Sequence, residues 1–188
     1  MHPIRHFMTI TAHRHKVMLG CFRVGLIRQG LLHDLSKYSP TEFLQGAKYW
    51  QGTRSPNAVA REQVGYSTAW MHHKGRNKHH YEYWTDLSAE TRQYVAVPMP
   101  TRYMVESFMD RIAACKIYRG KAYRDGDGLA YLMRTEECNL LHPETFRQLK
   151  FLLTMLQDKG EQRTYAFVRR VVLKNVPEAE WERRAEEF

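Results

Sequence analysis

Cysteine is scarce in this chain of 188 residues. There are three, Cys21, Cys115 and Cys138, widely spaced and with no Cys-x-x-Cys pair. That spacing argues against a disulfide framework and predicts free thiols in a reducing cytoplasm. No uncharged apolar run reaches about 18 residues, so no membrane-spanning helix is expected. Met1 to Thr11 carries Arg and His but no compact apolar stretch before a small-residue cleavage site, so a secretory signal is not expected. Internal repeats, low-complexity segments and linkers are also lacking, which predicts one domain over residues 1–188. Acidic residues are the minority, 20 Asp and Glu against 29 Lys and Arg, for a formal charge of +9.

What is present is enough to fold. Hydrophobic residues make up 43% and aromatic residues 12% of the chain, so disorder is excluded. The basic balance points to anionic partners: nucleotides, phosphorylated small molecules or nucleic acid. Nucleic acid is the less favoured of these. Zinc-finger spacing and the usual RNA-binding aromatic signature are missing, and the basic residues are dispersed. Their one concentration, Lys74-Gly75-Arg76-Asn77-Lys78, lies among histidines, which suits a small anionic substrate better than a long duplex.

The pattern of apolar residues predicts an all-α fold. His6 to Arg28 carries Ile10, Val17, Cys21 and Val24 at helical spacing, with Gly30 as a stop. Leu31 to Lys37 reads as a short buried helix. Ser39-Pro40-Thr41-Glu42 reads as a helix start with a capping box, continuing through Trp50. Ala58 to His73 is expected to be one helix, ended by Gly75. Pro98-Met99-Pro100 breaks the chain before a helix from Thr101 to Tyr118, with Gly120 ending it. Leu129 to Cys138, Pro143 to Gln157 and Tyr165 to Leu173 show helical spacing. Pro177 to Phe188 reads as a charged surface or frayed helix.

Chemistry concentrates at His33-Asp34. An imidazole and a carboxylate side by side among apolar residues are costly to bury unless something cationic lies between them. They are ligand types suited to zinc, iron, manganese and nickel. Other candidates lie along the chain: His13 and His15, then His72, His73, His79 and His80, then Asp110. His13 and His15 are two residues apart, so only one can face inward from a helix. His13 lies one turn before Val17, on or near the apolar face. Four histidines within nine residues exceed what packing requires. His72 and His79, like His73 and His80, are seven apart, but Gly75 and Asn77 interrupt any continuous helix. Such ligands, gathered from several helices, can hold one or two divalent transition ions (Mn, Fe, Ni, Co or Zn) and leave room for water. A bound ion lowers that water's pKa towards neutrality. Two ions need about six ligands, with a carboxylate such as Asp34 able to bridge. Tyr66, Trp70, Tyr81, Tyr83 and Trp84 could stack on a base or belong to the core.

The order of these residues resembles the HD-domain superfamily of metal-dependent phosphohydrolases. Its pattern is a His, a His-Asp pair, optional extra histidines and a final Asp on successive helices. His33-Asp34-Leu35-Ser36-Lys37 is similar to the family's His-Asp-x-x-Lys segment. Met109-Asp110-Arg111-Ile112 is similar to the segment carrying its last Asp. Longer phrases, Gly30 to Pro40 and Ala69 to His80, resemble an uncharacterised group of bacterial and phage proteins over residues 10–125. The resemblance implies an HD-like helical bundle with additional C-terminal helices. It implies metal ligands at His13, His33, Asp34 and Asp110, with at least one of His72 and His73 and one of His79 and His80. His13-x-x-x-Val17 matches the family phrase, which favours His13 over His15. Asp34 and Lys37 would act in catalysis. Lys37, Lys74, Arg76 and Lys78 would bind an anionic substrate, a nucleotide among the candidates. Two alternatives remain: a di-iron oxygenase on the same ligand pattern, as in myo-inositol oxygenase, and a non-enzymatic basic helical module that binds nucleic acid or protein.

Overall fold

The computed structural model describes residues 1–134 and 141–188. Cys138 lies outside the described residues, as does the end of the helix expected over Leu129 to Cys138. Cys21 and Cys115 are free, Cys21 buried and Cys115 half-buried. The fold is all-α. Its helices are α1 (Pro3–Val24), α2 (Ile27–Leu32), α3 (Pro40–Tyr49), α4 (Pro56–Val64), α5 (Thr68–Lys74), α6 (Thr101–Arg119), α7 (Asp127–Arg134), α8 (Pro143–Arg170, kinked at Gly160, φ 74° and ψ 172°, between the two helices expected over Pro143 to Gln157 and Tyr165 to Leu173) and α9 (Trp181–Ala185). A two-stranded antiparallel hairpin, β1 (Thr85–Leu87) and β2 (Tyr94–Ala96), pairs Thr85 with Ala96 and Leu87 with Tyr94. Its three-residue strands are too short for a period of two to register in the sequence. Among the described residues no helix is long and apolar enough to cross a membrane.

The core is built where α1, α6 and α8 pack. Val17 and Cys21 from α1 meet Met104, Phe108 and Met109 from α6 and Leu149, Leu152, Leu153 and Leu156 from α8, all essentially buried. These positions recur every three or four residues, so each helix turns one apolar stripe inward. Trp181 is also buried and packs on Phe151 and Phe167. The C-terminal segment is therefore a charged surface helix docked through Trp181 and Ala185, the first of the two expectations, and is not frayed.

Glycine sets several boundaries that differ from those expected. Gly25, at φ 91°, ends α1 in the left-handed conformation that L side chains avoid. Gly30 does not stop a helix. It is buried within α2, where an added Cβ would lie 3.0 Å from Phe22 and 3.1 Å from the Met18 carbonyl oxygen. Its lack of a side chain lets α2 lie against α1. Gly65, at φ 83°, splits the single helix expected over Ala58 to His73 into α4 and α5.

The His-Asp pair does not sit inside a helix. His33 follows the last residue of α2, and Asp34 is in the left-handed region at φ 55° before the single 3-10 turn Leu35–Tyr38. Leu31, Leu32 and Leu35 are about half exposed, so this segment is no buried helix. His33 and Asp34 are each only 1% exposed. The break turns the two polar side chains inward and leaves the leucines outside. A positive φ is uncommon for a residue with a Cβ, and aspartate is among the few that tolerate it.

Candidate metal centre

Five segments deliver the inner side chains. His13 comes from the middle of α1, His33 and Asp34 from the break after α2, His73 from the last turn of α5, and Asp110 from the middle of α6. His79 and His80 come from the loop before the 3-10 turn Tyr81–Tyr83. The loop reverses after α5, so neither seven-residue pair is aligned by a continuous helix.

Their ligand atoms fall into two sets that share Asp34: His13, His33, Asp34 and Asp110, and Asp34, His73, His79 and His80. Within each set the donor atoms lie within 4.8 Å of one another. Asp34 divides its oxygens between them. Oδ2 is 3.6 Å from His13 Nε2 and 3.3 Å from His33 Nε2. Oδ1 is 3.2 Å from His73 Nε2 and 3.4 Å from His79 Nε2. Asp110 Oδ1 closes the first set, 2.9 Å from His13 Nε2 and 3.5 Å from His33 Nε2.

These separations match those of donors arranged around one cation. Donors about 2.1 Å from one ion lie about 3.0 Å apart at right angles and about 3.4 Å apart at tetrahedral angles. The Nε2 atoms of His13, His33, His73, His79 and His80, and Asp34 Oδ1, are all buried without a hydrogen-bond partner among the described residues. Six orphaned polar atoms turned towards one another would be costly to bury unless an ion completes them. The residues present therefore fit a metal.

Two carboxylates that were not among the expected ligands orient these imidazoles. Glu106 Oε1 accepts from His33 Nδ1 at 2.9 Å and lies 3.2 Å from His79 Nδ1. Glu42 Oε2 accepts from His73 Nδ1 at 2.7 Å. Fixing the proton on Nδ1 leaves the Nε2 lone pair aimed at the centre, the usual support for a metal-binding histidine. His33, His79 and Glu106 also form a third close group, but the two Nδ1–H groups satisfy that carboxylate as donors. Glu42 is no capping-box residue: it is buried, and Ser39 makes no side-chain cap. A sequence signal existed for Glu106, which is one turn before Asp110 on the same face of α6. Glu42 gave none beyond its place near a helix start.

Charge is finely divided. Burial opposes ionisation of Asp34 and Asp110, but His33 beside Asp34 and His13 beside Asp110 lead the neighbours that hold both carboxyls well below the usual range. Burial pulls His33 and His73 down, yet Asp34, aided by Asp110 and Glu106 at His33 and by Glu42 at His73, raises both. His79 and His80 are lowered, by burial and then by neighbouring imidazoles. Burial likewise works against the Lys37 ammonium, but Asp34 and Asp110 raise it. Its Nζ donates to Asp34 Oδ2 at 2.5 Å, on the oxygen facing the first set.

Other expected residues lie elsewhere. His72 joins neither set; its Nδ1 donates to Glu42 Oε1 at 2.6 Å. Adjacent helical residues point about 100° apart, so one histidine of the pair turns inward and the other braces Glu42. His15 is exposed on α1. The basic loop does not reach the cavity beside the centre. Arg76 is exposed and donates to the His72 carbonyl, while Lys78 stands over the rings of Tyr83 and Tyr103. That cavity, of about 1340 Å³, is lined by His13, Lys37, His73, His80 and Asp110, and by Trp70 and Tyr81. Trp84 instead packs against the core, and Tyr66 is exposed outside the cavity.

No curated protein and no solved structure matches the chain. A family model does match, over residues 2–155, which takes in every residue of both ligand sets. The chain belongs to that family, a family of unknown function designated DUF5662.

Proposed function

We propose that this chain is a two-ion, metal-dependent phosphohydrolase, a divergent member of the HD-domain group, acting on a phosphorylated small molecule such as a nucleotide. One observation carries the reading: the two oxygens of Asp34 face different ligand sets, the arrangement of a carboxylate that bridges two cations. The order His13, His33-Asp34, His73, His79-His80, Asp110, carried by α1, the break after α2, α5, the loop after it and α6, supports the HD relationship. Imidazole and carboxylate donors suit manganese, iron, cobalt, nickel or zinc. Such ions would polarise a phosphoryl oxygen and make a nearby water more acidic.

The chain's own residues would supply the rest. Glu42 and Glu106 hold His73, His33 and His79 in the tautomer that presents Nε2. Lys37 keeps an ammonium beside the first set, where it can meet a phosphoryl oxygen once Asp34 Oδ2 is engaged elsewhere. Trp70 and Tyr81 offer apolar faces to the rest of the substrate. Metal-loaded protein tested on a panel of nucleotides and phosphomonoesters should release phosphate. His33→Ala and Asp34→Ala should each remove that activity. A fully loaded protein that releases none from the panel defeats the reading.

A second reading has its own support. Five histidines and two carboxylates also suit a pair of irons in an HD-type oxygenase. Iron at two per chain with an oxygen-dependent optical spectrum would favour oxidation. Phosphate release with manganese, cobalt or nickel would favour hydrolysis.

A further inference from the structure

The face of α6 that bears Asp110 continues along the cavity wall. Ser107, Asp110, Arg111, Ala114 and Tyr118 all line it, at the i, i+3, i+4, i+7 and i+11 positions of one helical stripe. Arg111 stands out among the cavity's arginines. Arg54 is held by Glu62 at 2.6 Å, Arg119 by Asp127 at 2.8 Å and Arg147 by Glu178 at 3.1 Å. Arg61 and Arg134 lie over the rings of Trp70 and Tyr131. Arg111 has no hydrogen bond, ion pair or ring partner among the described residues, and its Nε is buried and unsatisfied. Its charge is felt by the Cys115 thiol, which burial and then Asp127 push up against Arg111's pull. Arg111 directly follows Asp110 on α6, about 1.5 Å further along the axis and about 100° round it, and both line the one cavity.

A half-buried guanidinium facing a cavity with an unmatched N–H calls for an anion, and its fork suits two oxygens of a phosphate. The cavity also exceeds the roughly 300–1,000 Å³ of common small-molecule sites, so it has room for more than the reacting phosphate. We propose that Arg111 is a specificity residue that binds a second phosphate of the substrate, one group removed from the phosphate at the ligand sets. The substrate class is then a diphosphate or a nucleoside polyphosphate rather than a monophosphate. This rests on the phosphohydrolase reading above.

The test uses manganese-loaded full-length protein and two probes, inorganic phosphate and the non-hydrolysable methylenediphosphonate, each titrated calorimetrically. Wild type should bind the diphosphonate more tightly than phosphate. Arg111→Ala should weaken diphosphonate binding about 10- to 100-fold, the range for losing a hydrogen bond to a charged group, and leave phosphate binding within twofold. Arg111→Lys should recover only part, since an ammonium lacks the fork. If Arg111→Ala binds both probes as wild type does, or weakens both equally, the assignment is wrong while the phosphate reading stands. If wild type binds neither probe, the phosphate reading falls and takes the assignment with it.

Discussion

Asp34 shows how much one residue can carry. Its backbone sits at φ 55°, its side chain is buried, and its two oxygens face separate imidazole groups. Glu106 is less conspicuous and nearly as consequential, because it accepts from His33 and approaches His79, one member of each set. Glu106→Gln keeps the shape but weakens the pull on both Nδ1 protons. It should lower metal affinity about 10- to 100-fold, the usual cost of losing such a support. Competition against a fluorescent chelator measures this, and unchanged affinity would mean the carboxylate does not tune the ligands. At this scale the sequence was legible for the residues that converge. His13, His33, Asp34 and Asp110 are each a recognisable residue type in a recognisable order. It was not legible for Glu42 or Glu106, since a supporting carboxylate is defined by what it touches across the fold. Nor could it separate His72 from His73, because which of two neighbours faces inward depends on how α5 is rotated against α3.

Elements carry the geometry. The long helices were readable because their apolar residues recur at helical spacing over many turns. The short pieces were not. A six-residue α2 and a four-residue 3-10 turn leave too few positions to show a period, so the break that aims His33 and Asp34 could not be seen. Close helix contacts were equally hidden, and Gly46 of α3 shows why. A Cβ there would fall 2.2 Å from the buried His6 ring of α1. Gly46→Ala should therefore destabilise the protein by about 1–3 kcal/mol despite alanine's better helix propensity. His6→Ala in the same chain should recover most of that loss. Thermal melts of the single and double variants test this. Additive losses would show that the α1–α3 contact does not run through this pair.

At the scale of the whole molecule, the proposed centre would couple protons to metal. His33 sits in one ligand set and His73 in the other, and both bind protons more tightly than a free imidazole. A metal ion must displace those protons. Because the shifts are upward, competition persists above the ordinary value of about 6.5. Affinity should rise with pH through that range by about tenfold per unit for each proton displaced. Calorimetry at pH 6, 7 and 8 in buffers of different ionisation enthalpy should show proton release on metal binding. A pH-independent affinity would mean that these histidines are already neutral. Conversely, ions that bind the folded chain alone should raise its melting temperature, the stabilisation growing with the logarithm of concentration over Kd.

The most direct test counts ions. Protein purified without a histidine tag, loaded with manganese or iron and desalted, should carry two ions per chain by elemental analysis. Asn tolerates the left-handed conformation as Asp does, so Asp34→Asn should stay folded by circular dichroism and carry none. His13→Ala and His80→Ala, each confined to one set, should carry one. Substoichiometric metal in the wild-type protein, or two ions retained by folded Asp34→Asn, would contradict a centre built on the shared carboxylate of Asp34.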